Sequence, residues 1–137
     1  MVLIHFLICA LWLSARDVKT LKIRKSNLLL AILSLVPLVN WNQLKLAILN
    51  LSLYLLIFSL TQGAIGFGDV RLSFLLGMYI GVEASGFADL VVANFLGWSS
   101  AAIYILVYKR ILPSCAGFRV AFAPHLFLGV ALWWVIY

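Results

Sequence analysis

Two glycines, a carboxylate and a cation stand together in Gly66-Phe67-Gly68-Asp69-Val70-Arg71-Leu72, where a loop enters an apolar segment. A charge is costly at that depth, so an ionisable residue there is read first as functional and then searched for a partner. The chain holds 4 acidic residues, Asp17, Asp69, Glu83 and Asp89. Asp17 is the candidate partner, because it also stands at the polar edge of an apolar run. Two carboxylates brought to one level from different helices can share a proton and activate water, the chemistry of an aspartyl hydrolase.

Each acid also has a reading that needs no catalysis. Asp is a preferred N-cap, and its charge suits the positive end of a helix dipole, which alone would account for Asp69. Gly66 and Gly68 weigh against a simple cap, since a cap does not require their close backbone approach. Asp17 among basic residues would be solvated and paired with Arg16 or Lys19. If the pair is catalytic, the helix ends suggest roles. Asp17 follows a C-terminal end, which disfavours negative charge, and Asp69 opens a helix, which favours it. Asp69 is therefore expected to be the ionised member that takes a proton from water, and Asp17 the protonated member that polarises the scissile carbonyl. A close pair titrates as one coupled system.

Holding two acids at one depth requires a bundle in the bilayer, and the composition supplies it. Of 137 residues, 66% are hydrophobic and 10% charged, against roughly 45–50% and about 25% in a soluble domain. The apolar segments 2–15, 28–39, 44–60, 70–81, 87–108 and 122–137 predict an all-α polytopic membrane protein of about six transmembrane helices, a single membrane-embedded domain over 1–137. Twelve helical residues rise only about 18 Å, so segments 28–39 and 70–81 must extend into polar flanks, tilt little or thin the bilayer. The first segment lacks a basic region before it and reads as a retained helix, not a signal peptide.

Basic residues fix the orientation. Arg16, Lys19, Lys22, Arg24 and Lys25 follow the first segment, Arg71 opens the fourth, and Lys109, Arg110 and Arg119 follow the fifth, while the alternate loops hold Lys45, Glu83 and Asp89. The positive-inside rule places the loops after segments one, three and five in the cytoplasm and both termini outside. Asp17 and Asp69 then share the cytoplasmic level, and Glu83 and Asp89 lie opposite. The net charge of +6 is accounted for by these flanks, so no nucleic-acid partner is expected.

Cys9 and Cys115 have neither the spacing nor the ligand company of a zinc site and read as free thiols, and no metal or cofactor is expected. His5 falls in the outer half of the first segment, where packing or a local hydrogen bond is expected. His125 follows Phe122-Ala123-Pro124 at the start of the last segment and remains a minor candidate, since histidine titrates near neutrality. Tyr54, Phe58, Trp98, Tyr104, Trp133 and Trp134 read as packing and interfacial aromatics. Asn27, Asn50 and Asn94 read as interhelical hydrogen-bonding groups.

With these residues in place, the chain resembles the type IV prepilin peptidases, membrane aspartyl proteases with a first Asp at a cytoplasmic helix end and a Gly-x-Gly-Asp second site. Gly66 to Leu72 is similar to the family's Gly-x-Gly-Asp-x-Lys-Leu, with Arg71 keeping the charge of the usual Lys. Asp17 with Thr20 and Ile23 resembles the first motif, and Phe122-Ala123-Pro124 the Pro-rich third block. The resemblance implies that Asp17 and Asp69 are catalytic, that Gly66, Gly68 and Arg71 form a supporting loop, and that Lys19, Pro124 and His125 are candidate substrate contacts. It implies a substrate with a short basic leader ending in Gly before a hydrophobic helix, that is, a prepilin or pseudopilin precursor of a type IV pilus or type II secretion system. Its fifth mature residue, commonly Glu, would be drawn to Arg71 or Lys19. Cleavage would occur at the cytoplasmic face of the bacterial inner membrane.

The chain departs from that pattern in three ways. The first motif continues Ile23-Arg24-Lys25 where Ile-Pro-Asn is usual, and reaches Asn27 late. The third block has Ala121 where Pro is commoner and His125 where an apolar residue is usual. The Cys-x-x-Cys region of many bacterial members is absent, which implies a short form without zinc or S-adenosylmethionine-dependent methylation. Two other readings stand beside this one. A presenilin-like intramembrane protease shares Gly-x-Gly-Asp, but its first Asp lies deep in a span, unlike Asp17. A non-enzymatic transporter or assembly protein would retain the fold alone, although midplane polar pairs would then be expected.

Overall fold

The computed structural model describes residues 1–21, 23–62, 65–84, 86–111 and 120–136. Lys22, Cys115 and Arg119 lie outside them. Six helices follow one another: α1 (Val2–Thr20), α2 (Lys25–Leu35), α3 (Trp41–Leu60), α4 (Phe67–Ile80), α5 (Phe87–Ile111) and α6 (Ala123–Ile136), with a 3-10 turn at Val36–Leu38 closing α2. Among the described residues each apolar segment is helical over most of its length, and no strand occurs. By length and composition α3 and α5 can each cross a membrane.

The helix ends have local causes. Leu21 stops α1 in the left-handed region at φ 50°, its N–H bonded to the Asp17 carbonyl. Pro37 has no N–H to continue α2, so the chain tightens into the 3-10 turn and leaves it extended at Val39. A capping box opens α3: Gln43 N donates to Asn40 Oδ1 at 2.9 Å, and Asn40 N to Gln43 Oε1 at 2.6 Å.

Helix α4 is the centre of the bundle, buried almost all round from Leu72 to Ile80 apart from Phe74. It packs on α3 backbone to backbone, because a Cβ on Gly77 would fall 2.5 Å from Ala47 Cα. The α5–α6 pair is equally close at Gly129, where a Cβ would meet Ala93 O and Gly97 N at 2.5 Å. Such small-residue seams are how helices gain packing energy in a bilayer, where lipid is as apolar as the protein.

Buried polar groups tie the helices together. Trp98 Nε1 donates to Tyr54 Oη at 2.9 Å, Tyr54 to Asn94 Oδ1 at 3.0 Å, Asn94 Nδ2 to Asn50 Oδ1 at 2.8 Å, and Asn50 Nδ2 to the Ser73 carbonyl at 2.8 Å. The expected interhelical role of Asn50 and Asn94 is thus present, joining α5, α3 and α4; Asn27 lies outside this chain of bonds. His5 takes the local hydrogen bonds expected of it, with Nδ1 2.7 Å from Tyr79 Oη and Nε2 2.7 Å from Ser34 Oγ. Ser34 donates its own proton to the Ala31 carbonyl, so Nε2 carries the ring hydrogen and Tyr79 donates to Nδ1.

Candidate active site

Phe6, Cys9, Leu13 and Asp17 are the buried residues of α1, spaced three or four apart. That stripe carries Asp17 inward on the core face while Arg16, Val18 and Lys19 stay exposed. Asp17 therefore lies inside the last turn of α1, only 6% exposed, and not beyond the helix as the sequence suggested. The polar residues 16–20 continue the helix instead of ending it.

Its partner is the start of α6. A helix leaves its first amides without internal acceptors. In α6, Pro124 has none to offer, and His125 N and Leu126 N bond the Phe122 carbonyl at 3.1 and 3.2 Å. Ala123 N remains, and it donates to Asp17 Oδ2 at 3.0 Å in a buried contact. Asp17 thus caps α6 from across the bundle, a place where negative charge is favoured by the helix dipole.

Asp69 is the third residue of α4, whose N-cap is Gly66, so it is not the cap itself. A hydrogen bond from the Gly66 backbone runs back to its carboxyl group, and a Cβ on Gly66 would stand 3.2 Å from Asp69 Oδ2. A Cβ on Gly68 would stand 3.7 Å from Ile23 Cβ, so the α1–α2 turn lies over the start of α4. Together these segments wall a cavity of about 1000 Å³ that both Asp17 and Asp69 line.

The two carboxyl groups interact there. Asp69 precedes the apolar segment 70–81 and sits at its edge, half-buried. Burial, and next the negative charge of Asp17, raise its pKa from 3.8 to about 7, while the Gly66 bond opposes the shift. For Asp69 this runs against the ionised state expected from its helix end, since burial outweighs the helix-terminus bias. The expectation considered each acid's own helix, whereas burial at Asp69 and the α6 amide at Asp17 come from tertiary packing.

Gly66, Gly68 and Arg71 all line the cavity. The Arg71 guanidinium lies 4.5 Å from the Phe67 ring centroid, and Phe67 packs edge-on against Phe58 at 5.5 Å. Lys19, Pro124 and His125 are not in the lining. His125 turns instead toward α5, with Nδ1 3.3 Å from Ser100 Oγ and its ring 5.2 Å from that of Tyr104. Sequence reasoning missed Arg24 and Lys25 as cavity residues, having read them for topology alone. It also missed the Ala123 amide, a backbone donor that no motif reports.

Glu83 and Asp89 line a second cavity of about 720 Å³ with Met1–Leu3, Trp133 and Trp134, apart from the Asp17–Asp69 pair. Among the described residues no group of three or more His, Cys, Asp and Glu is placed to hold a metal ion. Cys9 is a buried free thiol; Cys115 lies outside the described residues. The type IV leader peptidase family matches residues 4–136. No curated protein and no solved structure matches the chain.

Proposed function

The chain belongs to the type IV leader peptidase family, and from that premise we propose that it is an aspartyl endopeptidase of prepilin or pseudopilin precursors, removing a short basic leader at the cytoplasmic face of the bacterial inner membrane. The observation that carries the reading is the shared cavity: two acids from α1 and α4 line it, and the charge of one raises the pKa of the other. In this reading the six helices span the bilayer with both termini outside, and the cavity opens to the cytoplasm.

Asp17 and Asp69 are the catalytic pair. Asp69, protonated, donates a hydrogen bond to the scissile carbonyl oxygen and polarises it. Asp17, ionised, takes a proton from a water that attacks the carbonyl carbon. The tetrahedral intermediate collapses as the proton on Asp17 passes to the leaving amine, and the C–N bond breaks. Arg71, held over Phe67 in the cavity wall, meets an acidic residue of the mature segment. The substrate's apolar helix stays in the bilayer while its extended leader junction enters the cavity.

The test is cleavage of a co-expressed prepilin-like substrate in membranes by wild type, Asp17→Asn and Asp69→Asn at matched expression. Wild type produces the leader-sized mobility shift and both variants do not. Cleavage by either variant assigns that aspartate a structural role, and no cleavage of any leader in a panel leaves the fold without this activity.

A further inference from the structure

His125 takes no step in the proposed cleavage. It lies outside the catalytic cavity, yet it occupies the first turn of α6, two residues after the amide that holds Asp17. Its surroundings define a donor. Ser100 has one hydroxyl proton, and its Oγ donates to the Gly97 carbonyl at 2.8 Å. Toward His125 Nδ1, 3.3 Å away, the same oxygen is therefore an acceptor, and Nδ1 carries the ring hydrogen.

This bond joins α5 and α6 where they also pack closely, the His125 ring 5.2 Å from that of Tyr104. A Cβ on Gly97 would stand 3.2 Å from the His125 carbonyl and 3.3 Å from Leu126 Cα, so the backbones of α5 and α6 meet at this level. To this close packing a directional hydrogen bond at the first turn of α6 adds a constraint on the helix's rotation about its own axis. Rotation of α6 would move Ala123 N away from Asp17 Oδ2.

Resting on the peptidase reading, we propose that His125 is a positioning residue: by donating from Nδ1 to Ser100 Oγ it seats the first turn of α6 on α5, and so fixes the Ala123 amide that holds Asp17. It touches neither substrate nor reacting atoms. Its effect is on the angle at which Asp17 meets the water, where small misplacements are costly.

The experiment compares wild type, His125→Leu, Ser100→Ala, the double variant and His125→Asn in cleavage kinetics on the same prepilin-like substrate. Alongside them, hydrogen exchange of the Ala123 amide is followed in detergent-solubilised protein. His125→Leu and Ser100→Ala each lower kcat about tenfold with KM little changed, and the double variant falls no further, because both remove one bond. His125→Asn, whose amide can replace the Nδ1–H donor, recovers kcat with Ser100 present and not with Ser100→Ala. Ala123 exchange accelerates in the variants that lose the bond. Wild-type kcat in His125→Leu, additive losses, failure of His125→Asn to recover, or unchanged Ala123 exchange would each overturn the proposal. Exchange is read without turnover, so it stands even if no substrate is cut, an outcome that would count against the peptidase reading and not against the latch.

Discussion

Replacing Asp17 with Asn removes one of three influences on Asp69 and leaves the other two. Burial is the largest, the Asp17 charge second, and the opposing Gly66 bond third. With Asp17 neutral, burial still exceeds the Gly66 bond, so the Asp69 pKa falls from about 7 but stays above 3.8. The displacement is downward because a like charge nearby disfavours the ionised form, and Asn carries none. The assay is infrared titration of the protonated carboxyl stretch in detergent, with 13C-labelled aspartate; Asp89 lines the other cavity. Wild type shows a carboxyl group titrating near neutrality, Asp17→Asn shows it displaced downward, and Asp69→Asn shows none. The same ionisation sets the alkaline limb of cleavage: if protonated Asp69 is required, activity falls about tenfold per pH unit above about 7. A neutral titration that survives Asp69→Asn, or that ignores Asp17→Asn, would refute the coupling.

Stability in detergent should follow the sign of that shift. The folded pKa of Asp69 is raised, so its contribution is fully present below 3.8 and is lost as pH rises through about 7; Asp69→Asn flattens melting temperature across this window. Leu21→Gly relieves a left-handed non-glycine residue, a strain of about 1 kcal/mol partly offset by chain entropy, for a net gain of roughly 0.5 kcal/mol by thermal melting. Asn94→Leu removes the interhelical bonds to Asn50 and Tyr54, costing about 1 kcal/mol at a typical value of roughly 0.6 kcal/mol each, read from denaturant midpoints. Gly129→Ala places a methyl 2.5 Å from Ala93 O and costs about 3 kcal/mol, while Gly86→Ala, with nothing within 4 Å, leaves the melting curve in place.

The helices were legible because glycine, proline and charge interrupt long apolar runs, and those interruptions are local. Their ends were less so. Arg16 to Thr20 look like a loop in composition, yet they continue α1, since charged residues at a bilayer edge can cover one face while the core stripe runs on. The stripe Phe6, Cys9, Leu13, Asp17 was present in the sequence and would have turned Asp17 inward had its spacing been followed past the polar boundary. Other features were out of reach. The Ala123–Asp17 bond joins residues 106 apart, and its donor is backbone, so residue types carry no trace of it. The raised pKa of Asp69 has the same origin: helix-end rules are local, and the burial that raises Asp69 is not.

The cap that Asp17 provides for α6 has a stereochemical consequence. With Oδ2 already accepting from Ala123 N, Oδ1 is the less engaged oxygen, the one that meets water in the proposed cleavage. A carboxylate with both oxygens open turns about its Cβ–Cγ bond; one anchored at Oδ2 is held in one plane. In the proposed peptidase that fixed plane favours one face of the scissile carbonyl, and so one direction for the peptide through the cavity. A leader junction running in reverse would bring its bond to the same place with the wrong face toward the water.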